Sequence, residues 1–176
     1  MVIFIIFILL YFTFKDFWES LIIMLSVPFS LVGGVLLQYI LGYNFSVAVW
    51  VGFIALYGIA VETGVVMVVY LHEALDRKLR AGTVGKLELY EAILEGAVLR
   101  LRPKLMTVFA ALMGLVPIMW STGTGSDVMK PIATPMIGGM ITSAIHVLIV
   151  TPVIFGLMKE RALKRGTLKI SGIALH

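Results

Sequence analysis

VAVWVGFIALYGIAVETGVVMVVYL, residues 47–71, carries one charged side chain, Glu62, in 25 residues. About 20 predominantly apolar residues, rising roughly 1.5 Å each, suffice to cross a hydrocarbon core of about 30 Å. This run is therefore read as a transmembrane helix with a carboxylate at its middle. The whole chain agrees with that reading. Of its 176 residues 60% are hydrophobic and 14% charged, and the mean hydropathy is +1.05. A soluble domain of this size needs far more polar surface to cover its core.

Working outward from residues 47–71, apolar runs and polar breaks give five spans, near 1–14, 21–41, 47–71, 104–121 and 128–158. The breaks are KDFWES at 15–20, GYNFS at 42–46, the charged stretch 72–103 and TGTGSD at 122–127, each expected to be a turn or surface segment. The first run is too short for a full crossing, lacks a basic leader, and reads as a helix entered partway. The expected fold class is thus an all-α membrane protein, a bundle of about five transmembrane helices with the first truncated. The transmembrane portion is 1–158, followed by a basic tail over 159–176.

Twelve basic residues fall on one side of these spans: Lys15, Arg77, Lys78, Arg80, Lys86, Arg100, Arg102, Lys159, Arg161, Lys164, Arg165 and Lys169; only Lys130 falls on the other. That asymmetry puts the C-terminal tail in the cytoplasm and, with five spans, the N-terminus outside. Within the long break, Leu87, Tyr90, Leu94, Ala97 and Leu101 recur at steps of three and four, which predicts a cytoplasmic amphipathic helix lying on the inner leaflet or the bundle and ended by Arg100, Arg102 and Pro103. Residues 167–176 show no pattern and are expected to be loose.

The chain has no cysteine, which excludes disulfides, thiolate metal sites and cysteine nucleophiles. No Walker loop, GxSxG elbow, HExxH or paired carboxylates occur, so an enzyme is the weakest class and no cofactor is expected. The net charge of +4 lies in short blocks between apolar runs, which points to a bilayer and away from nucleic acid.

Glu62 is the residue whose position demands a reason. A carboxylate at mid-span costs a few kcal/mol on insertion scales, and a neutral glutamine would glue helices more cheaply. Ala55, Gly58 and Glu62 share a helix face, so a neighbouring helix can approach where the carboxylate points. Desolvation favours its protonated form, the behaviour of a proton carrier. Lys104 opens the fourth span; lysines there commonly snorkel to the interface, but turned inward it would pair with an acid and depend on that acid's proton. His146, inside the last span, reads first as a packing residue. Met129, with Met136 and Met140, offers soft thioethers to a monovalent metal, although core filling explains most methionines. Gly33-Gly34 and Gly138-Gly139 read as close helix contacts, and Pro28, Pro117, Pro135 and Pro152 as bends.

In order, SVPFSLVGG (26–34), GFIAL (52–56), ETGVVM (62–67), GAVLRLRPKLMT (96–107) and PMIGGMIT (135–142) resemble the heavy-metal branch of the resistance-nodulation-division (RND) transporters. The likeness runs to about Arg165 and corresponds to the family's membrane portion from late in the eighth span through the twelfth. It implies part of a homotrimeric bacterial inner-membrane pump that exchanges protons for copper/silver or cobalt/zinc/cadmium cations and joins a periplasmic adaptor and an outer-membrane channel. It also implies that Glu62 and Lys104 belong to a proton relay, whose third, acidic member lies on a span outside this sequence. Met129, in GSDVM (125–129), matches a methionine tied to a metal path. His146 stands where the family leads one to expect an apolar residue. Missing spans and the unmatched tail suggest a gene fragment or partial reading frame, not competent alone. The alternatives are a stand-alone membrane scaffold or interaction protein, with Glu62 gluing helices, and another RND branch exporting drugs or lipids.

Overall fold

The computed structural model describes residues 1–82 and 85–166, and the expected loose segment 167–176 lies outside the described residues. The described chain folds as α1 (Val2–Phe14), α2 (Phe17–Leu41), α3 (Val47–Arg80), α4 (Lys86–Trp120) and α5 (Ser126–Ile145), which passes through a π-helical turn, His146–Val150, into α6 (Thr151–Lys164). Among the described residues, four stretches are long and apolar enough to cross a membrane: Phe17–Leu41, Val47–Arg80, Lys86–Trp120 and Ser126–Lys164. α1 is apolar but has only 13 residues, about 20 Å of helix. The all-α membrane bundle read from the sequence is what forms.

Local chemistry sets the helix ends. Asp16 accepts a hydrogen bond from the Trp18 backbone N–H at 3.1 Å and caps α2. Gly42, at φ +69°, closes α2 in the left-handed region that a side chain disfavours. Proline does not end helices here as the sequence suggested. Pro103 lies inside α4, so the amphipathic segment and the fourth span are one 35-residue helix. A proline costs a helix one N–H and a clash with the preceding turn, and packing at both ends of α4 outweighs that. Likewise the break after residue 71 is largely helical, since α3 continues to Arg80.

The amphipathic segment also presents a different face from the one expected. Leu87 and Leu94 are 78% and 64% exposed, while Leu89, Ala92, Ile93 and Gly96 are buried. The buried stripe contains Ala92 and Gly96 one turn apart, so backbones meet there: a Cβ on Gly96 would lie 3.1 Å from the Tyr70 carbonyl oxygen and 3.2 Å from the Ala74 Cβ. Close approach, more than hydrophobicity, selects the stripe that faces α3.

α3 and α4 pack antiparallel, and four contacts set the register along the second half of α3. Lys78 meets Glu91, Gly96 meets Leu71, Arg100 covers the Tyr70 ring at 4.5 Å, and Lys104 meets Thr63. α2 and α5 make the tightest pair, with Gly33 against Gly138 and Ser30 against Gly139. Two apolar clusters result. One, at the end where the basic residues collect, includes Ile23, Leu71, Leu89 and Phe155; the other, toward the opposite end, joins Val49, Phe53, Leu56 and Met140.

Candidate functional site

α3 presents Glu62 and Thr63 at mid-helix, and α4 brings Lys104 to the same depth. The Lys104 ammonium donates to the Thr63 hydroxyl at 2.8 Å. That hydroxyl in turn donates to the Ile59 carbonyl at 2.6 Å, which leaves its lone pairs to the lysine. Lys104 is partly buried and does not snorkel to the interface. Its charge lies in the fields of Glu62 and Arg100, while Glu62 itself makes no ion pair within 4 Å among the described residues. The two residues singled out from sequence therefore lie near each other, with Lys104 bonded to the residue that follows Glu62 and not to Glu62 itself.

Thr63 was not foreseen. The signal was present in its position next to Glu62, but a threonine inside a helix most often bonds only its own preceding turn, and only the α3–α4 register shows that a lysine reaches it. The small face beside Glu62 also differs from expectation. Ala55, Gly58 and Glu62 are exposed, and a Cβ on Gly58 would meet nothing within 4 Å. No described helix covers the face on which the carboxylate sits.

The methionines do not converge. Met129 is 53% exposed in the first turn of α5, whereas Met140 is 3% exposed in the second apolar cluster, with Met136 packed beside it. Met129 and Met136 are seven residues apart, about 10 Å along a helix, and Met136 packs against the apolar cluster that Met129 stays outside. Among the described residues no group of three or more His, Asp or Glu is placed to hold a metal.

A second charged cluster lies at the basic end, in a segment that the sequence reads as a surface break. Glu19 is 1% exposed; its carboxylate lies 2.6 Å from His72 Nε2 and accepts from Lys159 Nζ at 2.7 Å. Phe14 stacks on His72, and Phe155 meets it edge-on. This buried cluster ties α2, α3 and α6 together. A carboxylate in a six-residue polar break carries no sequence mark of burial.

Residues 1–159 match the family model described as the AcrB/AcrD/AcrF family. The chain is 49% identical over 161 residues to the cation efflux system protein CusA of Escherichia coli K12, covering 90% of this chain and 15% of that one. It is 39% identical over 156 residues to the cobalt-zinc-cadmium resistance protein CzcA of Cupriavidus metallidurans, covering 89% and 14%. A crystal structure of a heavy metal efflux pump superposes with a TM-score of 0.77 at 34% identity, over 92% of this chain and 15% of the other. The chain thus spans about one-seventh of the length of these relatives.

Proposed function

Given that the chain belongs to the AcrB/AcrD/AcrF family, we propose that it forms the proton-handling membrane portion of a heavy-metal cation efflux pump, with Glu62, Thr63 and Lys104 as its coupling site. The observation that carries this reading is the inward turn of Lys104 onto Thr63, beside Glu62. With Glu62 ionised, the ammonium is drawn from the hydroxyl toward the carboxylate. At 4 Å and an effective dielectric of 20 that attraction is on the order of 4 kcal/mol. A proton arriving on Glu62 removes it, and the lysine returns to Thr63. The two positions bias the α3–α4 pair between two arrangements, and each proton moved down a potential of 100 mV supplies about 2.3 kcal/mol to drive them.

In this reading the cargo is a heavy-metal cation carried by the assembled pump, and the step is transport without catalysis or cofactor. The similarity to a cation efflux protein and a cobalt-zinc-cadmium resistance protein supports that cargo class. The exposed Glu62 face takes a further span of the pump, and the assembly sits in the bacterial inner membrane with the basic end of the bundle in the cytoplasm, as the charge asymmetry favours. A homotrimer with adaptor and outer-membrane channel completes the proposal.

The test is a chimera in which residues 1–159 replace the matching segment of the CusA relative. The chimera is expected to export metal, and Glu62→Gln to abolish export at unchanged membrane abundance. Export at the normal rate by the Glu62→Gln chimera overturns the assignment, as does a well-inserted chimera that fails to export with Glu62 intact.

A further inference from the structure

His146 and Ser143 are each 1% exposed, and three of their side-chain atoms, Ser143 Oγ and both ring nitrogens of His146, have no hydrogen-bond partner among the described residues. They stand three residues apart on one helix, so they share a face. An imidazole always carries at least one N–H and, when neutral, one lone pair. Leaving both unmet in an apolar interior costs the desolvation of each.

The other described buried histidine, His72, also has both ring nitrogens without a well-aligned hydrogen bond, but its Nε2 lies 2.6 Å from the Glu19 carboxylate. His146 is instead held by shape. Phe29 of α2 stacks on its ring at 4.4 Å between centroids, 28° from parallel, leaving the ring edge, where the nitrogens are, to be satisfied by something else. The helix widens at this residue: the Thr151 N–H bonds the His146 carbonyl, closing the π-turn His146–Val150. Such turns insert one residue into the helical ladder and re-aim the side chains beside it, often at functional sites.

Depth gives the site its interest. Ser26 of α2 donates to the Ala60 carbonyl of α3 at 3.3 Å, so Phe29, three residues on in an antiparallel pair, lies opposite Tyr57. Five residues separate Tyr57 from Glu62, about 8 Å along the axis. His146 therefore lies in the middle of the bundle, near the depth of Glu62, but on the α2–α5 side.

We propose that Ser143 and His146 form an internal hydration site that takes one or two water molecules between the serine hydroxyl and the imidazole edge. Buried waters occupy sites that offer two to four polar partners, and this cluster supplies three. Water there accepts from the imidazole N–H at one ring nitrogen or donates to the lone pair at the other, which gives the bundle a hydrated proton-accepting group independent of Glu62 and Lys104. The inference stands whether or not the pump reading holds.

The test is water-edited solid-state NMR on the 15N,13C-labelled chain in lipid bilayers. His146 is assigned without mutation, because it alone among the histidines lies between isoleucine and valine. Its ring nitrogens are expected to receive magnetisation from water promptly, while the ring of Phe53, 2% exposed in an apolar cluster, lags. Ser143→Ala is expected to slow the transfer to His146 at least about two-fold, since it removes one of the polar walls. Transfer to His146 as slow as to Phe53 shows a dry site and overturns the proposal. Prompt transfer that Ser143→Ala leaves unchanged overturns the pairing of the two residues.

Discussion

Gly138→Ala tests the packing that organises the bundle. A Cβ at residue 138 would lie 2.8 Å from the Leu37 Cβ and 3.0 Å from the Gly33 carbonyl carbon, and closer still to the Gly33 carbonyl oxygen. Carbon atoms in good contact sit about 3.5–4.0 Å apart, so α2 and α5 must separate by roughly 1 Å. Neither neighbour is the free end of a flexible side chain, so the backbones themselves have to move. Overpacking of this kind costs about 1–3 kcal/mol. Gly58→Ala is the control. Nothing lies within 4 Å of its added Cβ, and alanine improves helix propensity by up to about 1 kcal/mol. The propensity gain is common to both Gly→Ala changes, so they differ by the overpacking alone, about 1–3 kcal/mol, roughly 5- to 150-fold in the unfolding equilibrium at tenfold per 1.4 kcal/mol. Unfolding of the purified chain by SDS in mixed micelles, followed by the fluorescence of Trp18, Trp50 and Trp120, reads the difference as a shift in midpoint. If Gly138→Ala and Gly58→Ala unfold at the same mole fraction of SDS, the close α2–α5 contact does not stabilise the fold and the argument is refuted.

Thr63→Val keeps the volume of the side chain but removes the acceptor for Lys104; a hydrogen bond to a charged group is worth about 1.5–3 kcal/mol, and the same unfolding assay is expected to show that loss. An unchanged midpoint means that the lysine already rests at the interface. Glu19→Gln strips the buried carboxylate from both Lys159 and His72 and is expected to cost about 3–5 kcal/mol, as broken buried ion pairs do. Lys78→Ala breaks the exposed pair with Glu91 and is expected to move the midpoint by less than about 1 kcal/mol; equal effects of these two changes contradict the burial assigned to Glu19. Met129→Leu removes a 53% exposed thioether that lies outside the apolar cluster holding Met140 and Met136, so export by the chimera is expected to stay within about two-fold of the parent chimera, and a large loss in a metal-resistance assay places Met129 on the metal path.

Residues 47–71 determine by themselves that the chain crosses a membrane, because length and apolarity are local properties and a bilayer responds to nothing more. Glu62 was legible for the same reason: its cost is incurred by where it stands in its own helix, whatever surrounds it. Lys104 was half legible. A span-end lysine can turn either way at similar cost, and the α3–α4 register, fixed by Gly96 approaching α3, decides that it turns inward to Thr63. The face of the amphipathic segment was misjudged because two apolar stripes alternate there, and only the helix it meets selects the one with Ala92 and Gly96. Glu19 shows the limit most plainly. Three side chains more than fifty residues apart meet at its carboxylate, and no window of sequence contains a property that belongs to three helices at once.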